Sequence, residues 1–341
     1  MWQVVGQSRT VSLLQRSLER GSVAHAYLVI GPPHVGKMTL ALNLAQAVNC
    51  QGDEPPCGLC DSCQKIASGK HADVRIIGLE ANNSAEISID QIREIQHSSN
   101  LPPFEGRYKV FIIDGAELMS TEAANCLLKT LEEPAAGVIF ILLTTSGGVL
   151  PATVVSRCQT LELPPLPPSE VEDVLSQRWG VERQRAGLLA RLSHGCPGWA
   201  ILAASDERLL KLRAERLDGL LNILSSDYAA RFAYVPQLVA WFGQSRGLVQ
   251  EILDLWLDWW RDLLLVKLGS SDSVTNIDHQ STLVDMAGGY RLEQIRAVIN
   301  GIQATGEQLR QNANPRLAFE VLMLSIPLEE SSTREGWLNY G

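Results

Sequence analysis

The sequence predicts an α/β domain, a parallel sheet with helices on both faces, followed by an all-helical second half. Three observations carry this. Short, continuously apolar segments alternate with helical patterns over residues 1–163, as expected of strands buried on both faces. Gly31-Pro-Pro-His-Val-Gly-Lys-Met38 directly follows the first of those segments, which sets a phosphate-binding loop between a strand and a helix. After the stiff stretch Pro164-Pro-Leu-Pro-Pro168 the strand signals cease and helical periodicity takes over.

The elements follow in order. Residues 11–18 carry apolar side chains at helical spacing, and residues 27–30 form a short buried strand that runs into the loop. The helix after the loop, 37–48, places Leu40, Leu42, Leu44, Ala45 and Val48 on its apolar side. Residues 74–77 predict a second strand, and 89–95 a helix with Ser88 available as its cap. The third strand, 110–114, is apolar throughout and ends in the carboxylate of Asp114. A helix from about Ser120 stops near Pro134, and 138–143 is the fourth strand. Ser169 with Glu172 predicts a capping box at the start of the next helix. From Asp206 onward the pattern is helical; Leu253, Trp256, Leu257, Trp260, Leu263, Leu264 and Val266 make a broad apolar face. That face reads as core or subunit packing rather than a base-stacking platform, because few basic residues interleave it. Residues 269–275 read as a polar loop, and Glu329 onward as a loose tail. The boundaries expected from this pass are 1–163, 164–205, 206–330 and a tail 331–341.

Length and composition bound the function. The 341 residues suffice for two or three domains, and 45% hydrophobic with 20% charged residues is ordinary for a soluble protein. A formal net charge of −9 gives the chain no general attraction for nucleic acid, so any DNA contact must be local or shared with basic partners. The start, Met-Trp-Gln-Val-Val, lacks the layout of a signal peptide. No apolar run approaches the ~20 residues that span a bilayer. A cytoplasmic protein is the expectation.

Four of the seven cysteines, Cys50, Cys57, Cys60 and Cys63, are spaced C-x6-C-x2-C-x2-C. Overlapping C-x2-C pairs suit tetrahedral thiolate chelation, with sulfur about 2.3 Å from Zn²⁺. Four thiolates close the coordination sphere, so the expected metal is structural. Buried thiols or disulfides are the plain alternative, disfavoured in a reducing compartment, and an iron–sulfur cluster is the chemical competitor. His71 reads as a surface residue, and Cys126, Cys158 and Cys196 as isolated core residues.

The phosphate-binding loop is incomplete. Gly31, Gly36 and Lys37 stand in place, but Met38 occupies the position whose hydroxyl ligates Mg²⁺, and a thioether is a poor partner for that hard cation. The loop amides, the helix N-terminus and Lys37 can still cradle phosphates. Asp114 stands where a carboxylate supports the Mg²⁺ shell. Gly115 replaces the Glu that normally polarises the attacking water, and Glu117 lies three positions after Asp114.

Several motifs together resemble a known family. His25-Ala-Tyr-Leu28, the four-cysteine insertion, Asn125-Cys-Leu-Leu-Lys-Thr-Leu-Glu-Glu-Pro134, Thr144-Thr145, Val155-Ser-Arg-Cys158 and Asn312-Ala-Asn-Pro-Arg-Leu-Ala318 are similar to those of bacterial clamp loader subunits. The resemblance implies an AAA+ P-loop domain, a small helical lid and an all-α C-terminal collar. Gly195-Cys-Pro-Gly-Trp199 lies where such lids carry an arginine. With Met38 and Gly115 this makes three losses in one site, matching the non-hydrolysing, stator-like members of the ring. Nucleotide binding through Gly31, Gly36, Lys37, Thr39 and Asp114 is then expected to be weak or absent. The resemblance gives Arg157 a role in trans, on the γ-phosphate held by a neighbouring subunit, for which a planar, permanently charged guanidinium is suited. The local alternative is an arginine paired with a nearby carboxylate. Lys129, Glu132 and Glu133 line the same interface or form a solvated helix end. Implied partners are gamma/tau-type motor subunits, a delta-type subunit, the sliding clamp indirectly, and primer–template DNA within the assembly. Two other readings stay open. One is a self-contained ATPase using Thr39 for Mg²⁺ and Glu117 as base; the other is a zinc-dependent nucleic-acid-binding module.

Overall fold

The computed structural model describes residues 1–79 and 86–328, so the tail expected from 329 onward lies outside the described residues. Two compact units divide the chain: Met1–Gly180 with Gly195–Ile201, and Val181–His194 with Leu202–Gly341. Among the described residues no helix is long and apolar enough to cross a membrane.

The first unit runs α1 (Ser8–Glu19), β1 (Ala26–Ile30), α2 (Lys37–Asn49), α3 (Asp61–Ala67), β2 (Val74–Ile77), α4 (Ile89–Ser99) and β3 (Lys109–Asp114). It continues with α5 (Thr121–Glu132), β4 (Val138–Thr144), α6 (Ala152–Val155), β5 (Gln159–Glu162) and α7 (Pro168–Trp179). The five strands pair in the order β2-β3-β4-β1-β5, all parallel. Successive side chains of a strand point to opposite faces, and the two cores show it. Tyr27, Val29, Val110, Ile112, Ile139 and Ile141 pack on one face with Leu40 and Leu44 of α2. Leu28, Phe111, Ile113, Phe140 and Leu142 pack on the other with Ile92 of α4 and Leu127 of α5.

Caps and a polar seam fix the helices. Ser88 and Gln91 form a capping box on α4, and Ser120 Oγ accepts from Ala123 N (3.1 Å) at the start of α5. Helix α2 carries three buried amides at i, i+3 and i+6, each tied to a different segment. Asn43 Oδ1 accepts from Gln3 N and Val4 N, and Gln46 Nε2 donates to Cys63 O. Asn49 Oδ1 accepts from Arg107 N and Tyr108 N.

Two expectations need correction or extension. The capping box at Ser169 and Glu172 does not start α7; the helix begins one residue earlier at Pro168, with Pro167 as the flanking residue and no side-chain cap. Proline favours the first helical position because its φ is preset and the missing N–H would be unpaired there anyway. The fifth strand, Gln-Thr-Leu-Glu, has no apolar run to announce it, since only Leu161 is buried on this sheet edge.

The second unit contains α8 (Arg183–Leu192), the end of α9 (Pro197–Ser205), α10 (Glu207–Leu224), α11 (Tyr228–Gln244) and α12 (Arg246–Lys267). It closes with α13 (Gln280–Gly288), α14 (Leu292–Arg310) and α15 (Pro315–Ser325). Trp256, Trp259 and Trp260 of α12 are fully buried among Leu220, Val298, Phe319 and their neighbours. They are core residues. The 269–275 loop is more ordered than its polarity suggests, because buried Asp262 accepts from Thr275 N and Asn276 N.

Among the described residues, one buried cation has no carboxylate in ion-pair contact. Arg231 is fully enclosed and donates to Ile223 O and Leu224 O at the end of α10, to Ser226 O just beyond it, and to Ile326 O and Pro327 O after α15. Helix C-terminal carbonyls lack intrahelical partners and carry the negative end of the helix dipole, so they solvate the guanidinium in place of water. Arg231→Met would remove the shared donor of these carbonyls, leaving Ile223 O with Ser226 N and the others without that donor. We expect a loss of about 3 kcal/mol or more in urea denaturation of the full chain, little of it restored by Lys; a loss below about 1 kcal/mol would contradict the account.

Candidate functional site

The P-loop is stitched to the end of β4: Gly31 N donates to Thr144 O (3.2 Å). Asp114 ends β3 in register with Leu143. The strand order therefore gathers Gly31, Gly36, Lys37, Asp114 and Thr144-Thr145 at the carboxyl end of the sheet, where ligands of such folds bind. Lys37 Nζ donates to the loop's own carbonyls, Gly31 O (2.6 Å) and Pro32 O (2.9 Å). Burial lowers its pKa, opposed by the negative charges of Glu117 and Asp114 and by Cys196. Met38 packs partly against the core, so its thioether serves apolar contact. Thr39 lines a cavity of about 450 Å³ with Trp2, Val5, Val35, Arg178, Trp179 and Pro197. Gly198 N donates to His34 O (2.9 Å), and a Cβ at Gly198 would lie 2.7 Å from that oxygen. Only glycine lets this segment approach the loop so closely.

Glu117 belongs to the same cluster. Gly115, at φ 74°, reverses the chain after Asp114, and the 3₁₀ turn Ala116–Leu118 swings Glu117 back. Its Oε1 accepts from Thr145 N (3.1 Å) and Thr145 Oγ1 (2.8 Å). Its Oε2 is buried with no hydrogen-bond partner among the described residues. Burial pushes the carboxyl pKa up, but its own backbone amide and Thr145 together hold it below the ordinary value. The signal in the sequence is Gly115 itself, the residue type that permits a left-handed turn directly after a strand.

Arg157 is placed elsewhere. Its Nη2 meets Glu132 Oε1 at 2.6 Å and its Nη1 donates to Thr153 O at 2.8 Å, while Lys129 of α5 and Glu133 just after it are exposed. The register pairs Gln159 with Tyr27 and Glu162 with Ile30, so Arg157 sits at the amino end of the sheet. About 13 Å of strand separates that level from Gly31. The structure does not bring Arg157 to this chain's own P-loop.

The four cysteines converge. The sulfurs of Cys50, Cys57, Cys60 and Cys63 all lie within 4.8 Å of one another, and the Cys57–Cys63 separation is 4.0 Å. Tetrahedral bonds of about 2.3 Å imply sulfurs about 3.8 Å apart, so the set fits one ion. Backbone amides support the sulfurs: Gly52 N and Cys57 N donate to Cys50, Cys60 N to Cys57, and Cys63 N to Cys60. Amides of Cys60 and Leu59 draw the Cys57 thiol down to about 6, whereas burial pushes Cys63 up to about 12.

His71 is not the surface residue expected. It is buried, with Nε2 3.2 Å from Ser62 Oγ and Nδ1 accepting from Asp73 N; it binds α3 to the chain beyond. Asp73 in turn accepts from Phe104 N, Glu105 N and Gly106 N at 2.7–2.8 Å. Lys65 of α3 pairs with Glu105 at 2.7 Å. The cysteine lobe and the loop before β3 are thus one braced structure.

Comparison with known proteins follows the same outline. The family described as "DNA polymerase III, delta subunit" matches residues 6–167. The DNA polymerase III subunit delta' of Bacillus subtilis is 30% identical over 94% of this chain and 96% of its own. Subunit tau of Escherichia coli is 31% identical over 78% of this chain, a match that spans 42% of that longer protein. A gamma subunit-related DNA polymerase III protein from Thermotoga maritima, 18% identical, covers 93% of this chain and 98% of its own with a TM-score of 0.47. Given 30% identity across nearly the full length of both chains, the chain belongs to the family of DNA polymerase III delta-prime and gamma/tau subunits, the bacterial clamp loader family.

Proposed function

We propose that this chain is a stator-like, non-hydrolysing subunit of a clamp loader, and that Arg157 serves the ATP bound by a neighbouring subunit. The observation that carries this is the position of Arg157, at the opposite end of the sheet from its own P-loop. Its pairing with Glu132 is half-exposed, and such pairs are worth only about 0–1 kcal/mol. Exchanging Glu132 for a phosphate therefore costs little. Met38 and Gly115, where a metal ligand and a water-activating carboxylate would stand, support the absence of hydrolysis by this chain. In this reading the chain works in the cytoplasm as three domains, P-loop, lid and collar. It is joined there by gamma/tau-type and delta-type subunits, and acts on the sliding clamp and primed DNA through the assembly.

Single-turnover ATP hydrolysis by the reconstituted loader, with clamp and primed DNA, tests the role. Arg157→Ala should slow the site it serves by roughly 10³-fold or more, the scale of arginine fingers. Lys should not restore it, lacking the planar fork. Unchanged kinetics in an assembly intact by gel filtration would reject the finger.

A second reading, a self-contained ATPase, is favoured by one observation: Glu117 does return to the P-loop end of the sheet. MgATP hydrolysis by the isolated chain, abolished in Lys37→Ala, would establish it.

The cysteine set suits a structural Zn²⁺, held by Cys50, Cys57, Cys60 and Cys63 and leaving no open position. Metal analysis of the purified chain should find about one zinc per chain. Chelation or Cys60→Ser should speed hydrogen exchange at residues 50–73 and at the amides of 104–106, while β3 and β4 stay protected. Bound iron, or no metal, would overturn the assignment.

A further inference from the structure

We infer that Glu117 determines what the P-loop accepts: its carboxylate stands as an internal anion where a ligand's terminal phosphates would lie, and it disfavours nucleoside di- and triphosphates. This rests on reading the carboxyl end of the sheet as a nucleotide site. Phosphate sites are built from backbone amides, a hydroxyl and a lysine. Here two of those groups, Thr145 and Lys37, already have internal partners. Thr145 gives both its amide and its hydroxyl to Glu117 Oε1, and Lys37 Nζ is turned to Gly31 O and Pro32 O. The connections are continuous. Glu117 binds Thr145, Thr144 O accepts from Gly31 N, and Gly31 O accepts from Lys37.

The second oxygen of Glu117 is buried with no hydrogen-bond partner among the described residues, an arrangement of the kind retained for a charge with work to do. Gly115 and the 3₁₀ turn hold it there. An entering polyphosphate meets this carboxylate and Asp114, and no hydroxyl at Met38 helps to bring in a neutralising Mg²⁺. A simple mechanical latch between the ends of β3 and β4 would use the same contacts, so charge is the property to test.

Equilibrium binding of AMP, ADP and ATP to the full chain in EDTA, read by displacement of a fluorescent nucleotide, separates the two. Glu117→Gln keeps the shape and removes the charge. It should tighten ADP about tenfold, ATP more and AMP least, the order of one close like-charge interaction. Glu117→Ala should follow the same ranking, and Thr145→Val, which loosens the latch but keeps the charge, should gain little. Equal gains for the three nucleotides, a gain in Thr145→Val matching that of Glu117→Gln, or no binding by either Glu117 variant would each overturn the inference. None of these outcomes touches the role of Arg157, which the hydrolysis assay reads on its own.

Discussion

Burial of both faces of a parallel sheet is the constraint on which the first unit rests. Residues of the central strands β1, β3 and β4 alternate between two apolar cores, so neither face of these strands is free to carry polar chemistry. Function is confined to the strand ends. Because all five strands run the same way, the two ends are chemically distinct. The carboxyl end collects the P-loop, Asp114, Glu117 and Thr145; the amino end carries Arg157 beside β5. A single chain thus has a P-loop edge and a separate arginine-bearing edge.

The second unit solves a different problem. Its helices bury their ends, and a buried helix end must still satisfy its carbonyls. Arg231 meets this need for α10 and α15 with one side chain. Asp262 does the converse for the loop after α12, accepting backbone amides. Both are buried charges held mainly by peptide dipoles, Asp262 with a long 3.9 Å contact to Arg261 besides.

The strands with strong apolar runs, β1, β3 and β4, were legible in the sequence because a doubly buried strand needs little else. Strand β5 was not, since an edge strand with one buried residue looks like loop. The cysteine cluster was legible from spacing alone, because short-range geometry fixes it. His71 was misread for the opposite reason: its burial depends on Ser62 and Asp73 meeting it in space. Glu117 shows the same limit. Its sequence distance from Asp114 was plain, but its return depends on a left-handed turn that the bare pattern does not specify.

The polar seam on α2 has a consequence for how this lineage can vary. Lys37 opens the helix at the phosphate loop, and Asn43, Gln46 and Asn49 fasten it to the N-terminal segment at Gln3 and Val4, the cysteine lobe and the loop before β3. One residue added to an α-helix rotates everything beyond it by about 100° and advances it about 1.5 Å. An insertion within α2 would therefore unfasten at least one of these ties while leaving the others in register. Surface loops can lengthen at small cost, whereas this rod is a fixed-length spacer.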